Sequence, residues 1–160
     1  MANNHTAGTA ARTFAPSELC QRMLAKTSKG TCGPCILYLE DGTIFYGRAC
    51  GAEGTATGEV CFNTSLEGYF EVMTDPSYAG QIVTMTYPQI GNYGIDETDV
   101  QSAFPGDAVR PASAPAMRGM IVRDMCATPS NWRSAVSVPE YLRAHGIVAI
   151  EGVDTRALAR

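Results

Sequence analysis

Glycine and proline recur every few residues from Pro34 onward and separate short apolar runs. Glycine inside a helix or strand is entropically unfavourable and proline removes a backbone donor, so long uninterrupted elements are excluded from this part of the chain. The pattern predicts short strands, hairpins and a few short helices, that is, a mixed α/β fold. A chain of 160 residues has room for one domain of this kind.

Several apolar runs have the length and residue types of strands. The first two are joined by Glu40, Asp41 and Gly42, and an Asp-Gly pair between apolar runs is a strong hairpin signal. The predicted strands are residues 36–39, 43–46, 58–62, 81–86, 120–122 and 147–150.

A helical period occurs in residues 63–73, between two of these strands. The apolar residues Leu66, Tyr69, Phe70 and Met73 fall at i, i+3, i+4 and i+7. This spacing predicts one helical face packed against the sheet, in spite of Gly68.

The clearest helix start is at Ser137, where a proline follows closely and Glu140 stands three residues on, the pattern of a capping box. This helix is predicted to run to His145 and to end at Gly146. A further helix begins with Asp154 as its cap, and little more than one turn remains before the last residue. Because so short a helix is unstable alone, we expect the sequence to be part of a longer protein.

Residues 1–34 differ from the rest, since they are rich in Ala, Thr and Ser and lack a sustained apolar period. We expect them to form a poorly ordered extension with a short helix over residues 16–26, and the folded domain to span residues 35–160. Within that domain, residues 92–116 contain three prolines and little periodicity, which predicts a surface loop or an excursion of the chain.

Charge and hydropathy exclude two classes of partner. The chain has 12 Lys and Arg against 16 Asp and Glu, a net charge of -4, and no polybasic patch, so neither nucleic acid nor an anionic membrane is an expected partner. No apolar run approaches the ~18 residues that span a bilayer. Charged residues make up only 18%, which indicates that part of the surface is an interface.

Six cysteines are present, and no secretory signal precedes them, so reduced thiols and a cytoplasmic location are expected. Cys50 and Cys61 lie in apolar runs and are expected to be buried. Cys32-Gly33-Pro34-Cys35 has the letters of a dithiol redox motif, but that motif belongs before a helix and a strand is predicted here. A small redox protein using Cys32 and Cys35 remains an alternative.

No other pattern predicts chemistry in this chain. The two histidines, His5 and His145, lie far from Cys32 and Cys35, so a structural metal is not expected. No cysteine lies in a nucleophile elbow, and no phosphate-binding loop follows the Walker spacing. The residues therefore predict no catalytic group, no metal and no cofactor in this chain.

Several sequence blocks together carry a resemblance to a known family. They are Leu39-Glu40-Asp41-Gly42-Thr43, the run 62–94 with Thr74-Asp75-Pro76-Ser77-Tyr78, Ser130-Asn131-Trp132-Arg133, and Val153-Asp154-Thr155-Arg156. In this order they resemble the amino-terminal domain of the small subunit of glutamine-dependent carbamoyl phosphate synthetase, over about residues 36–160. The extension before Pro34 departs from that pattern, because bacterial members begin near the first strand.

The resemblance implies a layered β/β/α fold and different tasks for the two domains of the small subunit and for the large subunit. In that family a carboxy-terminal amidotransferase domain hydrolyses glutamine through a Cys activated by a His and a Glu. A large subunit then uses the ammonia with bicarbonate, ATP and magnesium to make carbamoyl phosphate for arginine and pyrimidine biosynthesis. This chain resembles the part of the subunit that lacks the catalytic Cys. The resemblance therefore implies that the chain docks on the large subunit, supports the glutaminase domain and has no activity by itself. A free-standing binding module without chemistry remains an alternative.

One residue role follows from the resemblance: the serine of the Thr-Asp-Pro-Ser-Tyr block binds glutamine in the family, and here it is Ser77. From the residues alone, a turn with proline in second position presents a hydroxyl outward, or the serine merely closes its own turn. The family also indicates that loop 87–94, with Tyr87 and Tyr93, lies at an interface. Core packing is expected for Tyr69 and Trp132.

Overall fold

The computed structural model describes residues 33–95, 114–131 and 136–160. They form a six-stranded sheet, a two-stranded sheet and a few short helices, which confirms the mixed α/β class. The strands are β1 Pro34–Tyr38, β2 Ile44–Ala49, β3 Val60–Asn63, β4 Ile82–Met85, β5 Gln89–Ile90, β6 Gly119–Ile121, β7 Asp124–Met125 and β8 Val148–Glu151. The helices are α1 Tyr69–Thr74, a 3₁₀ helix Pro76–Tyr78, α2 Val138–Ala144 and α3 Thr155–Leu158.

The large sheet combines a parallel block with an antiparallel hairpin, in the order β1-β2-β8-β6-β4-β3. Strands β8, β6, β4 and β3 are parallel to one another, and β2 pairs antiparallel with both β1 and β8. Parallel neighbours need crossover connections. Helix α1 and the 3₁₀ helix lie between β3 and β4 in the chain, and α2 lies between β6 and β8.

The hairpin of β1 and β2 forms where the Asp-Gly pair predicted it. The backbone N–H of Leu39 donates to the carbonyl of Thr43 at 2.9 Å, and Asp41 Oδ1 accepts from the N–H of Thr43 at 2.8 Å. Gly42 has a φ of 90°, the left-handed region that glycine enters without strain. Local turn chemistry therefore sets the register, in which Leu37 lies opposite Phe45.

The apolar core lies on both faces of the large sheet, because neighbouring residues of a strand point to opposite faces. Met120 and Ala149 belong to the main cluster together with the buried residues of α1 and α2, whereas Ile121 and Ile150 belong to a second cluster with Leu37 of β1. Helices α1 and α2 thus pack in the main cluster, whereas the hairpin and Leu158 of α3 contribute to the second.

The helix predicted within residues 63–73 is shorter than its periodicity indicated. Helix α1 begins at Tyr69, and Leu66 is 69% exposed instead of buried. Gly68 has a φ of 75°, and a right-handed helix cannot continue through a left-handed residue. Tyr69, Phe70 and Met73 are buried as predicted.

The capped helices form as expected. Ser137 and Glu140 make a reciprocal capping box at the start of α2, and Asp154 Oδ1 accepts from two backbone N–H groups of α3. Gly146, with a φ of 68°, follows the end of α2. Satisfying the unpaired amides of the first turn fixes where each helix begins.

The loop predicted at residues 92–116 is anchored at both ends. Ile95 is fully buried and bridges to Val136, and the N–H of Ala116, also buried, donates to the carbonyl of Met73 at 2.8 Å. The surface prediction is therefore wrong for these ends, since apolar side chains join the core there. The structure does not describe the middle of this stretch, Trp132, or residues 1–32 of the predicted extension 1–34, which include Cys20 and Cys32.

Candidate functional site

Ser77 lies in the 3₁₀ helix Pro76–Tyr78, which follows α1 after a single connecting residue, Asp75. Asp75 caps this turn, because its Oδ1 accepts from the N–H of Ser77 at 2.8 Å. Pro76 occupies the first position, where the lack of an N–H costs no hydrogen bond. The turn with proline in second position is thus present as the sequence predicted.

The hydroxyl of Ser77 is available to a ligand. The residue is exposed, and its Oγ makes no hydrogen bond to any other residue that the structure describes. It is the backbone N–H that closes the turn, not the hydroxyl, so the geometry favours the outward-facing interpretation. A serine hydroxyl can both donate and accept, which suits a polar ligand.

Tyr78, the residue after Ser77, anchors the turn to the end of β3. Its hydroxyl oxygen accepts a hydrogen bond from Asn63 Nδ2 at 3.0 Å. The Tyr78 ring is half-buried against the main core cluster. This contact was not visible in the sequence, since nothing in the pattern pairs an asparagine at a strand end with a tyrosine fifteen residues later.

A groove of about 530 Å³ lies beside the start of α1. Tyr93 forms part of its wall, and its hydroxyl oxygen accepts from the N–H groups of Gly68 at 2.8 Å and Tyr69 at 3.3 Å. The two tyrosine rings stack at 4.1 Å, and the Tyr69 hydroxyl donates to the carbonyl of Gly94 at 2.6 Å. Burial raises the pKa of both phenols, so both stay neutral.

These contacts divide loop 87–94 into a structural and an exposed part. Tyr93 supplies the acceptor for the first amides of α1, a helix whose cap residue, Gly68, has no side chain. The contacts that the structure gives Tyr93 are therefore internal, and the position of loop 87–94 at an interface stays a prediction. Tyr87 is 36% exposed and lines the groove together with Leu66 and Glu67.

An ion pair between the partly exposed Arg48 and the buried Glu151 joins β2 to β8, and no pattern in the sequence predicted it. Glu151 is 3% exposed, and its Oε1 lies 3.0 Å from Arg48 Nη2. Its other oxygen accepts from the N–H of Met125 at 3.3 Å. Burial raises the pKa of Glu151, and the Arg48 guanidinium opposes that rise. All its contacts are internal to the fold, so the pair is structural.

The thiols of Cys35 and Cys61, two of the described cysteines, are not activated. Cys35 lies in strand β1 instead of before a helix, and burial raises the pKa of its thiol, which disfavours the reactive thiolate. Burial also raises the pKa of Cys61, which is only partly buried, while Cys50 is buried as expected. A dithiol redox function is not favoured by this geometry, and Cys32 lies outside the described residues.

The described ranges contain neither a candidate metal cluster nor a candidate membrane-spanning helix. Within residues 33–95, 114–131 and 136–160, no three His, Cys, Asp or Glu side chains are grouped so that they could hold a metal ion. Across the same ranges, none of the helices has the length and apolar character needed to cross a bilayer.

Comparison with known proteins identifies what the chain is similar to. Residues 37–160 match the model of the family described as carbamoyl-phosphate synthase small chain, CPSase domain. The chain is 55% identical over 125 residues to the carbamoyl phosphate synthase small chain of Solidesulfovibrio magneticus, covering 78% of this chain and 31% of that protein. For the small chains of Thermotoga maritima and Nostoc sp. the identities are 54% and 51%, covering 78% and 79% of this chain and 29% and 30% of those proteins. The chain therefore spans about a third of the length of the curated relatives it matches.

Proposed function

The chain belongs to the carbamoyl-phosphate synthase small chain family, and we propose that it forms the amino-terminal, non-catalytic part of the small subunit of glutamine-dependent carbamoyl phosphate synthetase. In the complete enzyme, a glutaminase domain of the same subunit releases ammonia from glutamine. The large subunit combines this ammonia with bicarbonate, using ATP and magnesium, to make carbamoyl phosphate for arginine and pyrimidine biosynthesis. This part of the small subunit binds no cofactor.

Docking on the large subunit is the first task of this part. Its support is the low share of charged residues, 18% of the sequence, and the exposed side chains of Leu66 and Tyr87, which both line the groove beside α1. Exposed aromatic and aliphatic side chains in a groove are typical anchors of protein interfaces. Tyr93, by contrast, holds the groove wall in shape from within.

Contributing to the glutamine site is the second task, and Ser77 performs it. The observation that carries this proposal is the exposed Ser77 hydroxyl, which has no partner in the described structure while its own N–H is held by Asp75. The hydroxyl is thus oriented by the turn and free to hydrogen-bond a polar substrate. The remainder of the pocket comes from the glutaminase domain, and no catalytic group comes from this chain.

The test replaces Ser77 with alanine in the complete small subunit, assembled with its large subunit. Because the hydroxyl contributes binding and no chemistry, Ser77→Ala should raise the KM for glutamine more than it lowers kcat. Carbamoyl phosphate synthesis from free ammonia should stay unchanged, since it bypasses the glutamine site. Ser65→Ala, another exposed serine of the same region, is the matched control. An unchanged KM for glutamine in Ser77→Ala would rule out the proposed role.

A further inference from the structure

We propose that Asn63 positions the Ser77 hydroxyl through its hydrogen bond to Tyr78, an inference that rests on the proposed function of Ser77. Asn63 and Tyr78 are positioning residues: neither needs to touch glutamine. Their contribution is to fix the place from which the Ser77 hydroxyl reaches it, and a polar group held in place binds with less loss of conformational entropy.

The 3₁₀ helix that carries Ser77 is too short to hold its own conformation. It contains three residues, and such short 3₁₀ segments have poor hydrogen-bond geometry. Its position therefore depends on contacts at its two ends. Asp75 holds the first end locally, through the N–H of Ser77, and Tyr78 holds the second end through its side chain.

Asn63 is a fixed point for this second anchor. It is the last residue of β3, and its backbone carbonyl accepts from both the N–H of Thr86 at 3.0 Å and the Thr86 hydroxyl at 3.2 Å. Its side-chain Oδ1 accepts from the N–H of Ser65 at 2.9 Å. The amide is thereby oriented, because its oxygen is engaged and its Nδ2 faces the Tyr78 hydroxyl at 3.0 Å.

The bond between Asn63 and Tyr78 links the sheet to the exposed turn. Tyr78 is half-buried against the main core, which limits the competition of water for its hydroxyl, whereas the neighbouring Ser77 faces solvent. Without the bond, the ring keeps its packing, but the turn loses its only side-chain hydrogen bond to the sheet among the described residues. We therefore expect the position of the Ser77 hydroxyl to be less well defined, while the domain stays folded.

The experiment measures glutamine-dependent synthesis by the complete two-subunit enzyme. Tyr78→Phe removes only the hydroxyl, and we expect it to raise the KM for glutamine about 2- to 10-fold, the range of one neutral hydrogen bond, with kcat nearly unchanged. Asn63→Leu should have a similar effect on KM. Asn63→Asp should restore a low KM, because a carboxylate can accept from both the Tyr78 hydroxyl and the N–H of Ser65. Tyr38→Phe, which alters a hydroxyl on a 62% exposed tyrosine of β1, is the control.

A second arm separates positioning from general loosening of the fold. If Tyr78 acts through Ser77, adding Tyr78→Phe to Ser77→Ala should not raise the KM further. A KM that rises by the same factor in both backgrounds would overturn the positioning role and leave the role of Ser77 intact. So would an unchanged KM in Tyr78→Phe when Ser77→Ala raises it. If Ser77→Ala itself has no effect, the proposed function of Ser77 fails and the positioning role fails with it. Synthesis from free ammonia, measured for each variant, shows that the enzyme is folded and assembled.

Discussion

Arg48 and Glu151 lie opposite each other on the antiparallel strands β2 and β8 and form an ion pair of 3.0 Å at the junction of the hairpin with the parallel strands. Glu151 is buried, and burial raises its pKa in the folded state. An acid with a raised pKa stabilises the fold below its unfolded pKa, and this contribution is lost as the pH rises through the folded pKa. The burial of Glu151 therefore makes stability sensitive to pH above the normal range of a glutamate, and the Arg48 guanidinium reduces this effect.

For this pair we predict different outcomes when either partner is replaced. Arg48→Met should destabilise the domain by about 1–3 kcal/mol at neutral pH, because it leaves a buried carboxylate without its counter-charge. Glu151→Gln should lower the free energy of unfolding by less than Arg48→Met does. It should also remove part of the decrease in that free energy between acidic and neutral pH. Urea unfolding at several pH values measures both effects. If both variants lost the same free energy of unfolding at every pH, this description of the pair would be contradicted.

A second prediction concerns Gly51, which lies just after β2. A Cβ at this position would overlap the backbone carbonyl oxygen of Ile147, and backbone atoms cannot move aside as a flexible side chain does. Gly51→Ala should therefore destabilise the domain by about 1–3 kcal/mol. Gly33→Ala is the matched control, since among the described residues no atom beyond its chain neighbours lies within 4 Å of its added Cβ. Thermal unfolding of the two variants gives the comparison, and equal melting temperatures would show that the close approach is not tight.

A third prediction separates Tyr87 from Tyr93. Tyr93→Ala removes a stacked ring and the acceptor of two amides at the start of α1, so it should lower the melting temperature by several degrees. Tyr87→Ala should leave the melting temperature nearly unchanged and weaken association with the large subunit. Calorimetric melting and subunit titration measure the two properties. Loss of the folded state in Tyr87→Ala would instead show that this ring belongs to the core.

A fourth prediction concerns the activity of the chain without further sequence. Ser77 is the one side chain that we assign to the glutamine site in residues 1–160, and a single hydroxyl gives no useful affinity. The purified chain should neither hydrolyse glutamine nor bind it measurably by titration calorimetry. Saturable binding at millimolar glutamine would mean that more of the pocket lies in this chain than we propose.

Much of the fold follows from signals that act over a few residues. Asp41 and Gly42 form the hairpin turn, and Ser137 with Glu140 forms the helix start, because each pattern satisfies backbone groups within its own segment. The hydrophobic period through residues 66–73 predicted a helix that begins too early, because such a period carries no information about the left-handed backbone of Gly68. Such a conformation depends on what the following helix packs against.

The site was harder to predict than the fold. The sequence placed Ser77 in an outward-facing turn, and the structure has that turn. Its supports were missed: the bond from Asn63 to Tyr78, and the bonds from two amides to Tyr93, join segments that are distant in the chain. Arg48 and Glu151 likewise meet only because β2 and β8 become neighbours in the sheet. Contacts of this kind depend on strand order, which apolar periodicity does not encode.

Docking can be tested by co-elution of the purified chain with the large subunit of a carbamoyl phosphate synthetase on a sizing column, at micromolar concentration and moderate salt. We predict a shared peak for the unaltered chain and reduced co-elution for Tyr87→Ala, with Tyr38→Phe behaving like the unaltered chain. Separate elution of a folded chain, with the same circular dichroism as before mixing, would contradict the claim that this part of the small subunit docks on the large one.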